Sequence, residues 1–372
     1  MHSAVRLHKK KASTKGVVSV SILALLLISL IDPFVDGMRY AKYGIPIICI
    51  FVFLADKGRI VTDESTRPFL FLSVVTLLMS PLGNINGVHD FYFYLTALSP
   101  FLLGCAPNIS PKFFFNILVV FFVGMSIPEV LDHGFEYSIL DSTSTLENDS
   151  FSFVFGLFSV FFFLIKEKKY FVFSLVMAVL VLKRISIIAI LVIFIIYYIF
   201  PIWILKKARL AGLLINFLFL LVAYYITTEA FHDLSIELFN VNSAYLTMGR
   251  TVLYEPVFSS TISLVDFLFG HGAGESYTIA AASIFVDDGK VNIHSDILKI
   301  YYELGFIAFA LFFVLAYKPR DKSIFLFMYV NIIFFTDNIS TYFIVMYVYF
   351  YLSEVLRKNK YFHVTGKVAN KF

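Results

Sequence analysis

Apolar runs follow one another along this chain with only short polar interruptions, and that succession leaves few folds open to it. At about 20 apolar residues per membrane crossing, with allowance for short or tilted ones, the sequence accommodates twelve helices. They are expected at 17–32, 43–55, 68–82, 91–106, 112–127, 151–165, 170–183, 185–204, 210–226, 297–316, 323–335 and 341–356. The seventh and eighth are divided only by Lys183 and Arg184. With 59% hydrophobic and 15% charged residues, the composition lies outside the soluble globular range. The expected fold is therefore all-α and polytopic, a single membrane domain over residues 1–372.

Charge placement sets the expected orientation, because cytoplasmic loops hold the excess of Lys and Arg. With the N-terminus inside, all but Arg39, Lys42, Lys183, Arg184, Arg250, Lys290 and Lys299 of the 30 basic residues fall on the inner side. The outer stretch 128–150 carries six acids and no Lys or Arg. Both termini are thus expected in the cytoplasm. RLHKKKASTK followed by an apolar run has the order of a secretory signal, but DPFVDG follows in place of a small-residue cleavage site, which reads as an uncleaved anchor. The net charge of +4 comes from short clusters between apolar runs and forms no basic domain, so no nucleic-acid partner is expected. Cys49 and Cys105 lie in apolar segments and have neither disulfide nor metal-ligand spacing.

One connection is large: residues 227–296, between the ninth and tenth helices, expected on the outer face. Its aromatic and glycine-containing content is too apolar for disorder, so it should fold as a lid or re-entrant layer against the membrane.

Five residues are the expected site. Arg184 stands at the outer end of a helix hairpin, where a cation is costly unless paired or used; snorkelling to headgroups is its bland alternative. Arg250, in TMGRTVLYEPVF, has the planar fork that grips phosphate oxygens, against a plain salt bridge to Glu255. Asp296, Lys299 and Glu303 share one helix face at spacings of three and four, where Lys299 and Glu303 can pair with each other. His294, at the mouth of that helix, exchanges a proton near neutral pH, against an interfacial histidine bonded to the loop backbone. FGHGAG, 269–274, could present backbone N–H groups to an anion, but it lacks a P-loop pattern and reads as a tight turn. Asp287 and Asp288 read as turn residues, and His232, Asp233 and His271 have no spacing that recommends them.

Taken in order, an outward arginine at a hairpin, GRTVLYEPV at 249–257, FLFGHGAG at 267–274 and HSDILKIYYELG at 294–305 resemble the bacterial O-antigen polymerase and O-antigen ligase superfamily. The resemblance covers the whole topology loosely and 249–305 more closely. In ligase-type members the histidine is commonly followed by asparagine, where this chain has Ser295. Chain length and the Phe and Tyr content look like the polymerases. The resemblance implies a GT-C-like glycosyltransferase that uses neither metal nor cofactor and acts at the outer face of the bacterial cytoplasmic (inner) membrane, in O-antigen, lipopolysaccharide or capsular and exopolysaccharide synthesis. Donor and acceptor would be undecaprenyl-diphosphate-linked glycans within the membrane lipid, and a chain-length regulator protein would be a partner. Arg184 and Arg250 would hold the departing diphosphate. His294 would activate the acceptor hydroxyl, with Glu303 or Asp296 orienting it. Loop 227–296 would form part of the site. Rival expectations are an O-antigen ligase, a lipid-linked oligosaccharide flippase, and a polyprenyl-phosphate-sugar glycosyltransferase that uses Asp32 and Asp36 as base.

Overall fold

A computed structural model describes residues 17–31, 37–55, 60–138, 143–146, 148–199, 207–261, 263–283, 291–318 and 321–365. Asp32, Asp36, Asp287 and Asp288 lie outside them. The described residues are all-α apart from one two-residue antiparallel pairing, β1 (Tyr137–Ser138) with β2 (Thr143–Ser144). The apolar helices are α1 (Val17–Ser29), α2 (Gly44–Ala55), α3 (Arg67–Met79), α4 (Ile85–Leu102), α5 (Pro111–His133), α6 (Asp149–Leu164), α7 (Lys168–Leu180), α8 (Arg184–Ile199) and α9 (Ala208–Tyr225). After α9 come α10 (Glu229–Phe239), α11 (Ser243–Leu246), α12 (Arg250–Ser260), α13 (Leu264–Phe269) and α14 (Glu275–Ser283). The long helices resume with α15 (Asp296–Ala316), α16 (Ser323–Phe334) and α17 (Phe343–Thr365). Among the described residues four stretches are long and apolar enough to cross a membrane: Met38–Ala55, Pro111–Asp132, Ala208–Tyr225 and Asp296–Ala316. With the shorter apolar helices around them, they mark a membrane protein.

Side-chain caps fix where several helices begin. Asn84 accepts from Asn86 N, Ser110 from Phe113 N with Pro111 behind it, Asn148 from Phe151 N and Ser295 from Leu298 N. Asn84 moves the start of α4 six residues ahead of the expected 91. The run VHD at 88–90 is helical after all, because the Asp90 charge is met by a lysine from another helix. Helices apolar on every side belong in the interior, and α6, α16 and the first half of α17 are buried there. Their rings interlock edge to face: Phe69 of α3 meets Phe312, Phe327, Tyr349 and Phe350 at centroid distances of 5.2–6.4 Å.

Helix ends gather into two layers. At one end Lys112 pairs with Glu167 at 3.0 Å, Arg357 with Asp63 at 3.5 Å, and Lys322 donates to Leu164 O at 2.8 Å. The other end is covered by α10–α14. This cover grips the bundle through residues 270–274: His271 N donates to Tyr302 O, Gly272 N to Glu303 O and Ala273 N to Met79 O. Gly272 has φ +106°, and a Cβ there would come within 2.5 Å of Leu82 and Gly83 backbone atoms. Gly272→Ala is therefore expected to loosen the cover. Left-handed backbone alone costs about 1–2 kcal/mol in a non-glycine residue, before the clash is counted. Faster proteolysis within 226–295, with the helices beneath left intact, would register it. The α13 segment reaches further down than a surface lid. Phe267 stacks on Phe306 at 5.2 Å, ten residues into α15, and Gly305 breaks α15 there with φ 75° and ψ 172°.

Candidate functional site

The charges at the start of α15 are buried, with Asp296, Lys299 and Glu303 all at or below 3% exposure. Each has its own partner. Lys299 and Glu303 do not make the intrahelical pair that their spacing allows. The Lys299 ammonium forms an ion pair with Asp90 of α4 at 2.5 Å and donates to Tyr277 OH at 2.9 Å, lying 4.2 Å from the centre of that ring. Tyr277 in turn donates to Asp90 Oδ1 at 2.9 Å. Burial pushes the Tyr277 hydroxyl well up, against the pull of Lys299, so it keeps the proton that it gives. Glu303 accepts from Ser276. Asp296 accepts from Ser340 through N at 2.8 Å and Oγ at 2.5 Å, and from Asn338 at 3.5 Å. Away from water, a lone charge is costly and draws partners from whatever element packs nearest. Sequence spacing could not name Asp90 or Tyr277, although an acid inside VHDFYFYL was a signal that such a partner exists.

Arg250 opens α12 directly after Gly249, whose φ of 80° turns the chain there. It makes no ion pair with Glu255, which is exposed. Among the described residues its one hydrogen bond runs from Nη2 to Thr336 O at 3.5 Å, and its buried Nε has no partner. Tyr254 OH, Thr336 Oγ1 and Asn338 Oδ1 are also buried without a hydrogen bond. These four atoms belong to one turn of α12 and to the 336–338 turn against it. Burial holds the Tyr254 hydroxyl up to about 12, with Arg250 opposing and Asp337 reinforcing, so it too stays protonated. Asp337 is turned to Asn338 N at 2.9 Å and Tyr342 OH at 3.2 Å. Buried groups left over in this way require a partner, and the Tyr254 and Thr336 hydroxyls beside a guanidinium suit an oxyanion, whereas Asn338 Oδ1 is an acceptor that calls for a donor.

His294 is exposed, in left-handed backbone at φ 56°. It precedes Ser295, which lies against Tyr254. His294 and Arg250 thus share the covered end of α15. Among the described residues His294 has no hydrogen bond or ion pair, so neither Asp296 nor Glu303 orients it by contact. Arg184, exposed, is the first residue of α8; Ser186 of the next half-turn bonds Tyr329 OH of α16 at 2.8 Å and Ser152 O at 3.1 Å. That contact sets Arg184 at the end of α16 that leads to Thr336. FGHGAG is no anion nest, since its N–H groups at 270–273 go to backbone carbonyls. His271 stacks on Tyr302 at 4.4 Å, and His232 bonds Ser243 at 3.1 Å.

A cavity of about 970 Å³ opens on the other side of the 335–342 segment. Its lining includes Arg39, Lys42, Asn86, His89, Asp90, Tyr277 and Asn292 as well as the apolar Pro46, Ile47 and Ile50. Arg184, Arg250 and His294 do not line it. The sequence counted Arg39 and Lys42 only as charges against the topology rule. No family model matches the chain, and neither a curated protein nor a solved structure matches it.

Proposed function

We propose that this protein is a membrane glycosyltransferase that polymerises undecaprenyl-diphosphate-linked oligosaccharide repeat units at the outer face of a bacterial cytoplasmic membrane. In this reading twelve helices cross the bilayer, both termini are cytoplasmic, and α10–α14 form the outer cover. The observation that carries it is the group of unpartnered buried atoms around Arg250. A guanidinium and two neutral hydroxyls, at the end of a bundle and under a folded cover, are suited to the negative charge that grows on a leaving diphosphate. Arg184 adds charge from the start of α8. His294, on the chain that enters α15, is the base for the acceptor hydroxyl. Asp296 and Glu303 serve it indirectly, by fixing the top of α15 to Ser340 and Ser276. The chemistry asked of the protein is charge stabilisation plus proton removal.

A flippase is the second reading, favoured by the buried Lys299–Asp90 pair inside the helices and by the large cavity beside it. Deleting the gene and separating the surface glycan on a gel distinguishes the readings. Glycan caps of a single repeat unit are the expected result. Polymer retained on its lipid carrier would indicate a ligase instead, units trapped inside a flippase, and an unchanged ladder would overturn all three.

A further inference from the structure

The first part of the cover leaves its apolar side chains bare. Ala208–Tyr225 is long and apolar enough to cross a membrane, and its exposed Leu210, Leu214, Leu218, Leu221 and Tyr225 recur three or four apart. That spacing puts them on one face of α9, which is turned to lipid. Tyr224 and Tyr225 end the face, as aromatic residues do where a span meets the membrane boundary. Only three residues separate Tyr225 from α10, and the Phe231 ring lies 5.8 Å from that of Tyr225. α10 is thus held at the height of the boundary. Glu229, Asp233 and Glu237 recur every four residues along one side of it. Leu234 and Leu238 line one flank, Ile236 and Phe239 the other, and Leu238 and Phe239 are 62% and 60% exposed. The side away from the acids is closed by α11, through Ser235 Oγ to Val241 O at 2.7 Å and a His232–Ser243 bond at 3.1 Å. Around α11, Tyr245 is 80% and Met248 76% exposed.

We propose that α10 and α11 form an interfacial unit whose partner is the lipid leaflet beside the end of α9. Leu234, Leu238, Phe239, Tyr245 and Met248 sit roughly 5–10 Å into the boundary between headgroups and acyl chains, and the three acids face water. A bare apolar patch of this kind marks an interaction surface. Its continuity with the lipid-facing side of α9 makes the occupant lipid, not a second copy or another protein. Residues 226–249 hold three acids and no Lys or Arg, so apolar burial draws the unit in and anionic headgroups do not. The unit leads directly into Arg250. Gly249 N donates to Ala244 O at 2.7 Å, and the Thr247 and Thr251 hydroxyls meet at 2.6 Å, so the depth of the unit in the leaflet sets the height of Arg250. What that height serves rests on the glycosyl-transfer reading; the seat in the leaflet does not.

Tryptophan fluorescence tells lipid from water and from protein. The full chain carrying Trp203→Phe, which removes the only native tryptophan, is placed one copy per nanodisc of phosphatidylcholine, with or without bromine on the acyl chains. With Leu238→Trp, Tyr245→Trp or Met248→Trp added singly, emission should shift to shorter wavelength and be lost to the brominated chains. Asp233→Trp and Glu237→Trp should show neither effect. All five positions are exposed, so the substitutions leave the packing intact. Leu234→Asp with Phe239→Asp should abolish the quenching seen with Met248→Trp, because a carboxylate on each flank is costly within the leaflet. Water-like, unquenched emission from all five positions would overturn the seat. So would a blue shift without quenching, which would give the face to protein, and so would quenching that survives the two aspartates. The readout is position in lipid, so a normal glycan ladder after gene deletion would sink the polymerase reading and leave the seat standing.

Discussion

Arg250→Ala is expected to lower polymer formation by about 10²–10³-fold, the loss typical when one preorganised donor to a developing oxyanion is removed. Folding should be unaffected. Among the described residues the guanidinium makes a single hydrogen bond, long at 3.5 Å, and its Nε makes none. A residue kept for stability would look the opposite, with its fork filled by carboxylates. Arg250→Lys should recover little of the loss, because an ammonium supplies a point charge and no planar pair of donors. Transfer from a purified lipid-linked repeat unit, set beside the melting temperature of each variant in detergent, checks both halves. An active Arg250→Ala enzyme would remove Arg250 from the chemistry, and an inactive one that also fails to fold would make it structural.

The second large effect concerns the fold itself. Asp90→Ala leaves the Lys299 ammonium, at 3% exposure, without its counter-charge, and breaking one side of a buried pair costs about 3–5 kcal/mol. Asp90→Ala combined with Lys299→Met should restore most of that stability, since replacing a buried ion pair by apolar groups is often near neutral. Thermal unfolding followed by size-exclusion of a fluorescent fusion measures it. The glycan ladder separates this role from a catalytic one: a double variant that folds and still polymerises confines the pair to holding α4, α14 and α15 together. If the double variant is no more stable than Asp90→Ala alone, the pair is not the dominant tie.

The helical fold was legible in the sequence, because lipid dictates long apolar runs. Positions within the site were legible only in part. Arg250 and Arg184 drew notice as cations where the charge rule expects none, and both stand at the covered end of the bundle. The partners were not legible. Asp90 finds Lys299 across more than two hundred residues of chain, and the apolar run after it signals that a partner exists without naming it. Lys299 and Glu303, four apart on a helix, offered a sufficient local answer that burial overruled. Thr336 and Asn338 stand in a short turn between two expected helices, with no motif to mark them. Arg39 and Lys42 were visible as anomalies of topology, but only the folded chain shows that they line one cavity.

The break at Gly305 also governs the order of assembly. With Leu268 and Phe269 backbone atoms crowded against the position its Cβ would occupy, Gly305 receives α13 only after both halves of α15 have been made. Residues 264–269 emerge during synthesis before that receptor exists. Their packing against the bundle is therefore completed only after α15 has been made, which makes α13 a late-docking part of the insertion.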